Sequence, residues 1–411
     1  MRPSLGPRFV AAVLSILRLV DPSPAPAWHG ELRMVSPNLH EVAIVGAGPA
    51  GLAAAASLRA VGVRAIVVDK AGEVGSAWRA HYDRLHLHTE RALSGLPGLP
   101  IPRKQGKWVS RAGVVEYLEE YASHHQIELR LSTPVERVER EGGAWKLATP
   151  SGPLLARAAV IAAGYNHTPR IPEWPGSSSF RGELLHSAQY KNAERFRGRH
   201  VLVVGTGNSG AEIAVDLVEG GAASVRIAVR TPPNIVRREV AGLATQRLGL
   251  ALRHIPPAIV DPIARLVQRL TVGDLTPYGL PPSPRGTYTR AREGQIPILD
   301  VGLVDAAKSG RVTIVSAVRA FDGGDVVLED GSRIQPDAVI AATGYLRALE
   351  RLVGHLGVLD AHGLPVAHGA KTHPAAPGMY FLGYSNPISG NLREIPIDAL
   401  KIAKALRRSR S

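Results

Sequence analysis

Glu41-Val-Ala-Ile-Val-Gly46-Ala-Gly48-Pro49-Ala50-Gly51 is the stretch on which the reading of this chain turns. Its first five residues make a short apolar strand. The alanine-rich helical stretch Leu52–Ala60 follows, and then a second strand, Arg64-Ala-Ile-Val-Val, which ends on Asp69. The order is strand, GxGxxG, helix, strand, acid, with the acid 23 residues beyond the first glycine. Gly46 makes the tight turn, Gly48 lets backbone N–H groups approach a pyrophosphate, and Gly51 lets helix and strand pack closely. The helix N-terminus supplies partial positive charge, and Asp69 can bind ribose hydroxyls. A GxGxxG alone is weak evidence; in this full setting it predicts a dinucleotide-binding α/β fold.

The pattern recurs. His200-Val-Leu-Val-Val runs into Gly205-Thr-Gly207-Asn208-Ser209-Gly210, the helix Ala211–Glu219, and a strand, Ser224–Val229, that ends at Arg230. An acid there would repel a ribose 2′-phosphate, whereas a guanidinium pairs with it. The second fold is therefore expected to take NADPH, and the first, with Asp69, to take FAD. Arg230 can equally be read as an ordinary exposed arginine. Pro49, Ala50 and Lys70 go with the first site, and Asn208, Ser209 and Thr231 with the second. Thr343 and Gly344 close the run Ala338–Ala342, and Gly383 closes the last strand, Gly378–Gly383; all three are further cofactor-contact candidates. Strand-like runs at Ile127–Leu131, Val135–Arg140, Ala144–Thr149 and Leu154–Ala156, ending in Ala159-Val-Ile-Ala-Ala-Gly164, lie between the fingerprints. Matching runs at Val312–Val315 and Asp325–Leu328 follow the second. The expected organisation is an FAD domain over 40–175 and 346–411, with an NADPH domain over 176–345 inserted into it. A helical insert at about 235–300 belongs to the NADPH domain. A C-terminal helix, Ile395–Leu406, can turn its N-terminus toward the flavin.

At 411 residues the chain holds two or three domains. It contains no cysteine. That excludes disulfides, iron–sulfur clusters, thiolate zinc sites and any dithiol redox pair, and no metal is expected. Lys+Arg is 49 against Asp+Glu 35, a net charge of +14, but the basic residues are scattered and form no nucleic-acid recognition module. Phosphate-bearing cofactors account for part of the excess. Residues 1–39 differ from the rest. Phe9–Leu17 is a nine-residue apolar run resembling a weak secretory signal, but Arg18 and Asp21 interrupt it early. We read 1–39 as a poorly ordered extension of a cytoplasmic protein. No run of 18 apolar residues exists to span a bilayer. The amphipathic segment 241–272 can lie on a membrane, cover a site, or pack as a surface helix pair.

The linker Phe180-Arg-Gly182-Glu-Leu-Leu-His186-Ser-Ala-Gln-Tyr190 fits FxGxxxHxxxY. With it come Ser76-Ala-Trp78, Tyr82-Asp-Arg-Leu85-His-Leu-His88, Arg269–Asp274, Thr276–Gly279 before a leucine-proline pair, and Pro297–Gly302. In these motifs the chain resembles the flavin-containing monooxygenases, and within them most closely the YUCCA-type branch and its bacterial relatives. The resemblance runs from about residue 40 to the end. It implies a glutathione-reductase-like pair of Rossmann-type domains and a C4a-hydroperoxyflavin mechanism, in which O₂ gives one atom to a small organic substrate and one to water. A YUCCA-like substrate is an α-keto acid such as indole-3-pyruvate. His88 matches a flavin-side asparagine of other members and becomes the candidate catalytic residue, although a core histidine reads the same way. Trp78 and Leu85 are expected near the flavin, and His186 in a structural role. Two other readings stay open. One is an NADPH oxidase or quinone reductase that oxygenates nothing. The other is an N- or S-oxygenating or Baeyer–Villiger enzyme.

Overall fold

Strand β1 (Leu39–Val45) stops one residue before Gly46, and helix α1 (Pro49–Ala60) starts directly after Gly48, so the glycine turn is the whole connection between them. The computed structural model describes residues 39–410. The expected extension, with its signal-like run, lies outside the described residues apart from Leu39. Beyond α1 the chain forms β2 (Ala65–Val68), helix α2 (Arg111–His124), β3 (Glu128–Arg130) and a meander of β4 (Arg137–Glu141), β5 (Ala144–Ala148) and β6 (Leu154–Ile161). These strands share one sheet in the order β3-β2-β1-β6-β5-β4. Strands β1, β2, β3 and β6 run parallel, and the meander is antiparallel. The sequence reading gives two runs here, Leu154–Ala156 and Ala159–Ala163, whereas β6 is one unbroken strand to Ile161. Its first half pairs with β5 and its second with the late strand Met379–Phe381, so both halves are buried.

The second sheet is wholly parallel, as expected of strands covered on both faces. It contains β7 (Glu183–His186), β8 (His200–Val204), β9 (Ser224–Val229), β10 (Val312–Ser316) and β11 (Ala338–Ala341) in the order β10-β9-β8-β11-β7. Helix α3 (Asn208–Glu219) follows β8 directly after the second glycine turn. The chain leaves the first sheet after Ile161 and returns to it at Met379, now β12 (Met379–Phe381). The outgoing pair Thr168–Pro169 and the returning pair Tyr345–Leu346 hydrogen-bond antiparallel, so the two crossings lie side by side.

Between β9 and β10 the expected helical insert is only partly helical. Short strands Ile235–Arg237 and Ile298–Asp300 pair in parallel and close it at its base. Between them stand α4 (Thr245–Leu252) and α5 (Pro257–Thr271). The last helix, α6 (Asn391–Arg408), begins a full turn earlier than Ile395 and packs along α1. Pro396, its sixth residue, lies inside the helix, where the missing N–H removes the bond to the Leu392 carbonyl.

Candidate active site

The three glycines of the first turn are required for two different reasons. A Cβ on Gly46 would sit 2.3 Å from the Ala162 carbonyl oxygen, and Gly46 has φ near +112°; a Cβ on Gly51 would sit 1.8 Å from the Gly46 oxygen. Those two allow the backbone to approach itself. A Cβ on Gly48 would meet no atom within 4 Å. Gly48 fronts a cavity of about 1370 Å³, at the head of α1, whose N-terminus no side chain caps. The cradle is therefore clear where a ligand, not the protein, needs the space, and free N–H groups face it.

Gly46, Gly48, Pro49, Ala50, Asp69, Lys70, Trp78 and Gly383 all line this cavity. Asp69 also braces the turn: Oδ2 accepts from Ala47 N at 2.6 Å and Oδ1 from Ala71 N at 2.8 Å. Lys70 Nζ lies 3.0 Å from His167 Nε2, joining two residues of the cavity wall. Burial, then Lys70, holds His167 below the usual histidine range, so its Nε2 accepts. Trp78 stands on the short helix Ser76–Ala80, edge-on to His81 at 5.8 Å. Burial, aided by Lys191 and Arg111, lowers the His81 pKa too.

Sequence reasoning missed Asn391. It opens α6 at the cavity wall and donates from Nδ2 to the Gly383 carbonyl at 3.2 Å, while its Oδ1 is buried without a partner. The available signal was Gly390-Asn391 ahead of an amphipathic helix. No side chain caps α6, so its positive end also meets the cavity.

The second turn repeats the first. A Cβ on Gly205 would meet the Ala342 oxygen at 2.5 Å and one on Gly210 the Gly205 oxygen at 2.1 Å, while one on Gly207 would meet nothing within 4 Å. The Asn208 side chain is taken up by the insert, with Oδ1 accepting from Leu299 N at 2.8 Å and Nδ2 donating to Pro297 O at 3.4 Å. Arg230 and Thr231 are exposed just beyond β9, and Arg230 forms no ion pair among the described residues. The Thr343 hydroxyl donates to the Arg170 carbonyl, and the Gly344 carbonyl accepts from His186.

Leu85, His88 and the second turn do not line the large cavity, which meets the crossings at Thr168, Pro169, Tyr345 and Leu346 and the linker at Ala188. Leu85 is buried in the core of the second sheet. His88 Nε2 lies 2.9 Å from Glu212 Oε1, and His88 Nδ1 is buried without a partner. The other oxygen of Glu212 accepts from the Tyr82 hydroxyl at 3.3 Å.

The linker motif is structural throughout. Phe180 packs on Phe321, and a Cβ on Gly182 would collide with Phe180 and the Asp337 carbonyl. His186 is 1% exposed; Nδ1 accepts from Ala188 N and Nε2 donates to Gly344 O, both at 3.0 Å. Burial keeps it below the ordinary histidine range, which suits that neutral form. The Tyr190 hydroxyl donates to Asp216 at 2.6 Å. The motif straps edge strand β7 to the crossing and to α3.

A family model described as pyridine nucleotide-disulphide oxidoreductase matches residues 43–253. The indole-3-pyruvate monooxygenase YUCCA1 of Oryza sativa subsp. japonica is 36% identical over 368 residues, covering 88% of this chain and 90% of that one. A flavin monooxygenase from Stenotrophomonas maltophilia superposes with a TM-score of 0.71 at 25% identity, over 91% of this chain and 100% of its own. A bacillithiol disulfide reductase from Staphylococcus aureus shares the fold at 16% identity, TM-score 0.66 and 91% and 100% coverage. The absence of cysteine separates the present chain from dithiol chemistry. The chain belongs to the flavin monooxygenases, oxidoreductases that use FAD and NADPH, and within them to the relatives of the YUCCA enzymes.

Proposed function

We propose that this monooxygenase oxidatively decarboxylates an α-keto acid of the indole-3-pyruvate class, with FAD in the first cradle and NADPH in the second. The duplicated cradle is the observation that carries the assignment of the two nucleotides. Gly48 and Gly207 both front open space at uncapped helix ends, with a carboxylate beside the first and an unpaired guanidinium beside the second. On this reading the domains divide as the two sheets do, FAD over 40–175 and 346–411 and NADPH over 176–345. Bound FAD supplies a hydride acceptor and, once reduced, the group that reacts with O₂. The chain supplies the rest. Asp69 orients ribose, the N-termini of α1 and α6 favour negative charge, Trp78 walls the cavity, Arg230 selects the 2′-phosphate, and His88 hydrogen-bonds the reactants.

The balanced reaction takes keto acid, O₂, NADPH and a proton to the acid one carbon shorter, CO₂, NADP⁺ and water. The identity to the Oryza enzyme over most of both chains supports this substrate class. Aerobic turnover against keto acids, amines, sulfides, ketones and a quinone tests it. Keto-acid-dependent CO₂ release matching NADPH consumed is expected. Sulfoxide, N-oxide or ester formation, or NADPH oxidation yielding only peroxide or quinol, would replace the reading with one of the alternatives.

A second element concerns location. Among the described residues no helix is long and apolar enough to cross a membrane. Among the described residues, nine of the thirteen large apolar side chains that are exposed lie between Val240 and Ile296. Ile259, Ile263, Leu266 and Leu270 form one stripe along α5, with Leu270 78% exposed. Arg253, Arg265, Arg269 and Arg292 flank it, exposed and without ion pairs among the described residues. An apolar stripe edged with arginine suits an anionic lipid surface, and the same arginines oppose self-association through this face. The enzyme is on this reading a cytoplasmic one that works at the inner face of a membrane. Sedimentation with phosphatidylglycerol-containing vesicles but not with phosphatidylcholine alone, lost in L266S/L270S, is expected. No vesicle binding, or a dimer that the double variant dissolves, would overturn it.

A further inference from the structure

Glu212 is a buried carboxylate for which nucleotide binding gives no explanation. It lies on α3 four residues after Asn208 and is 4% exposed. One of its oxygens meets His88 Nε2 at 2.9 Å and the other meets the Tyr82 hydroxyl at 3.3 Å. Tyr82 is itself 2% exposed, and Ser209, the serine of the second glycine turn, stands near its hydroxyl. Burial and then Glu212 push the Tyr82 hydroxyl well above its usual range, so it stays a donor toward the carboxylate. One continuous polar chain, Ser209–Tyr82–Glu212–His88, thus runs from the nucleotide turn of one sheet to the candidate catalytic residue beside the other.

The chemistry assigns the histidine's protons. A carboxylate only accepts hydrogen bonds, so His88 carries a proton on Nε2 and Nδ1 is its free nitrogen. Nδ1 is buried with no protein partner, which is unfavourable unless a bound group completes it. We propose that Glu212 is the positioning residue of this active site: it fixes His88 through Nε2 and leaves Nδ1 as the atom offered to the reactants. This rests on the assignment of the two nucleotide sites made above. A neutral His88 accepts at Nδ1. It donates there only as the imidazolium, whose charge Glu212 balances. Nδ1 is therefore a nitrogen whose role changes with its proton. Because Ser209 stands in the second glycine turn, a nucleotide settling on that turn is felt at His88.

Ring-nitrogen NMR of the histidine-labelled protein with its flavin bound tests the proposal. Wild type is expected to show one His88 species, protonated at Nε2. Glu212→Gln keeps an acceptor and should keep that species, whereas Glu212→Leu, similar in size but without an acceptor, should give a mixture of tautomers. An unchanged spectrum in Glu212→Leu would overturn the positioning role. If Glu212→Leu does not fold, Glu212→Gln decides: loss of the Nε2-protonated species there would equally overturn it. Adding NADP⁺ should shift the His88 signals in wild type, and at least halve that shift in Tyr82→Phe while NADP⁺ affinity changes less than about threefold. NADP⁺ that binds but moves His88 equally in both proteins would sink the link through Tyr82. NADP⁺ that does not bind at all would refute the nucleotide assignment instead, and the tautomer comparison would still judge Glu212.

Discussion

Gly48 and Gly51 stand three residues apart, and substitution should affect them through different states of the protein. A valine at 51 drives its Cβ into the Gly46 carbonyl and damages the turn itself. Gly51→Val should unfold or precipitate. A valine at 48 meets no protein atom and projects into the ligand's space. Gly48→Val should therefore purify soluble, with a urea midpoint near that of flavin-free wild type, but without flavin; a fully yellow preparation would refute the cradle. Arg230 adds a selectivity prediction. A hydrogen bond to a charged group contributes about 1.5–3 kcal/mol, so Arg230→Ala should weaken NADPH tenfold to a hundredfold and leave NADH nearly unchanged. Equal losses in titrations of both nucleotides would make Arg230 structural. His88 is subtler, because its removal strands the buried Glu212. Lower stability in His88→Ala is thus expected under either role. The test is the fraction of NADPH that ends as hydrogen peroxide, which should rise; an unchanged fraction would end the catalytic assignment.

At the scale of elements, both strand–glycine–helix units were legible because each of their residues answers a local demand. The strand is apolar, the turn must lack Cβ atoms, and the helix is alanine-rich or amphipathic. Elements set by distant partners were not. Nothing at Arg157 and Ala158 says that the runs on either side are one strand, because the second half of β6 is held by β12, more than 200 residues later. The insert misled for a related reason: its apolar stripe has helical spacing, but the short strands that close its base become visible only when Ile235–Arg237 and Ile298–Asp300 meet. The linker motif was read as a family mark, and its geometry explains it as a strap. Tyr190→Phe removes a buried bond to Asp216, which retains only Arg84 at 3.6 Å. The cost should be about 1.5–3 kcal/mol, read as a lower denaturation midpoint with flavin content kept. A variant as stable as wild type would deny the strap its energetic role.

Across the whole molecule the sequence singled out only His88 and His186 among fifteen histidines, because the state of each depends on what folding buries around it. Four are held below the ordinary histidine range chiefly by burial: His81 beside Trp78, His125 just after α2, His167 on the cavity wall, and His186 in the linker. The sign of their effect follows from linkage. The unfolded chain protonates these side chains near pH 6.5 and the folded chain only at lower pH, so in that window the unfolded state binds more protons. Stability from these groups is complete above about pH 6.5 and falls as the solution is acidified below it, by at most about 1.4 kcal/mol per pH unit for each. His186 has the clearest structural reason, since protonating Nδ1 would turn its bond from Ala188 N–H into a clash of two donors. Urea midpoints of flavin-loaded protein should therefore decline between pH 7 and 5. His186→Gln can keep one acceptor toward Ala188 without titrating, and should show a shallower decline even if it is less stable at pH 7. Parallel curves for the two proteins would mean that His186 does not titrate on unfolding, and the acid sensitivity would then belong to His81, His125 and His167.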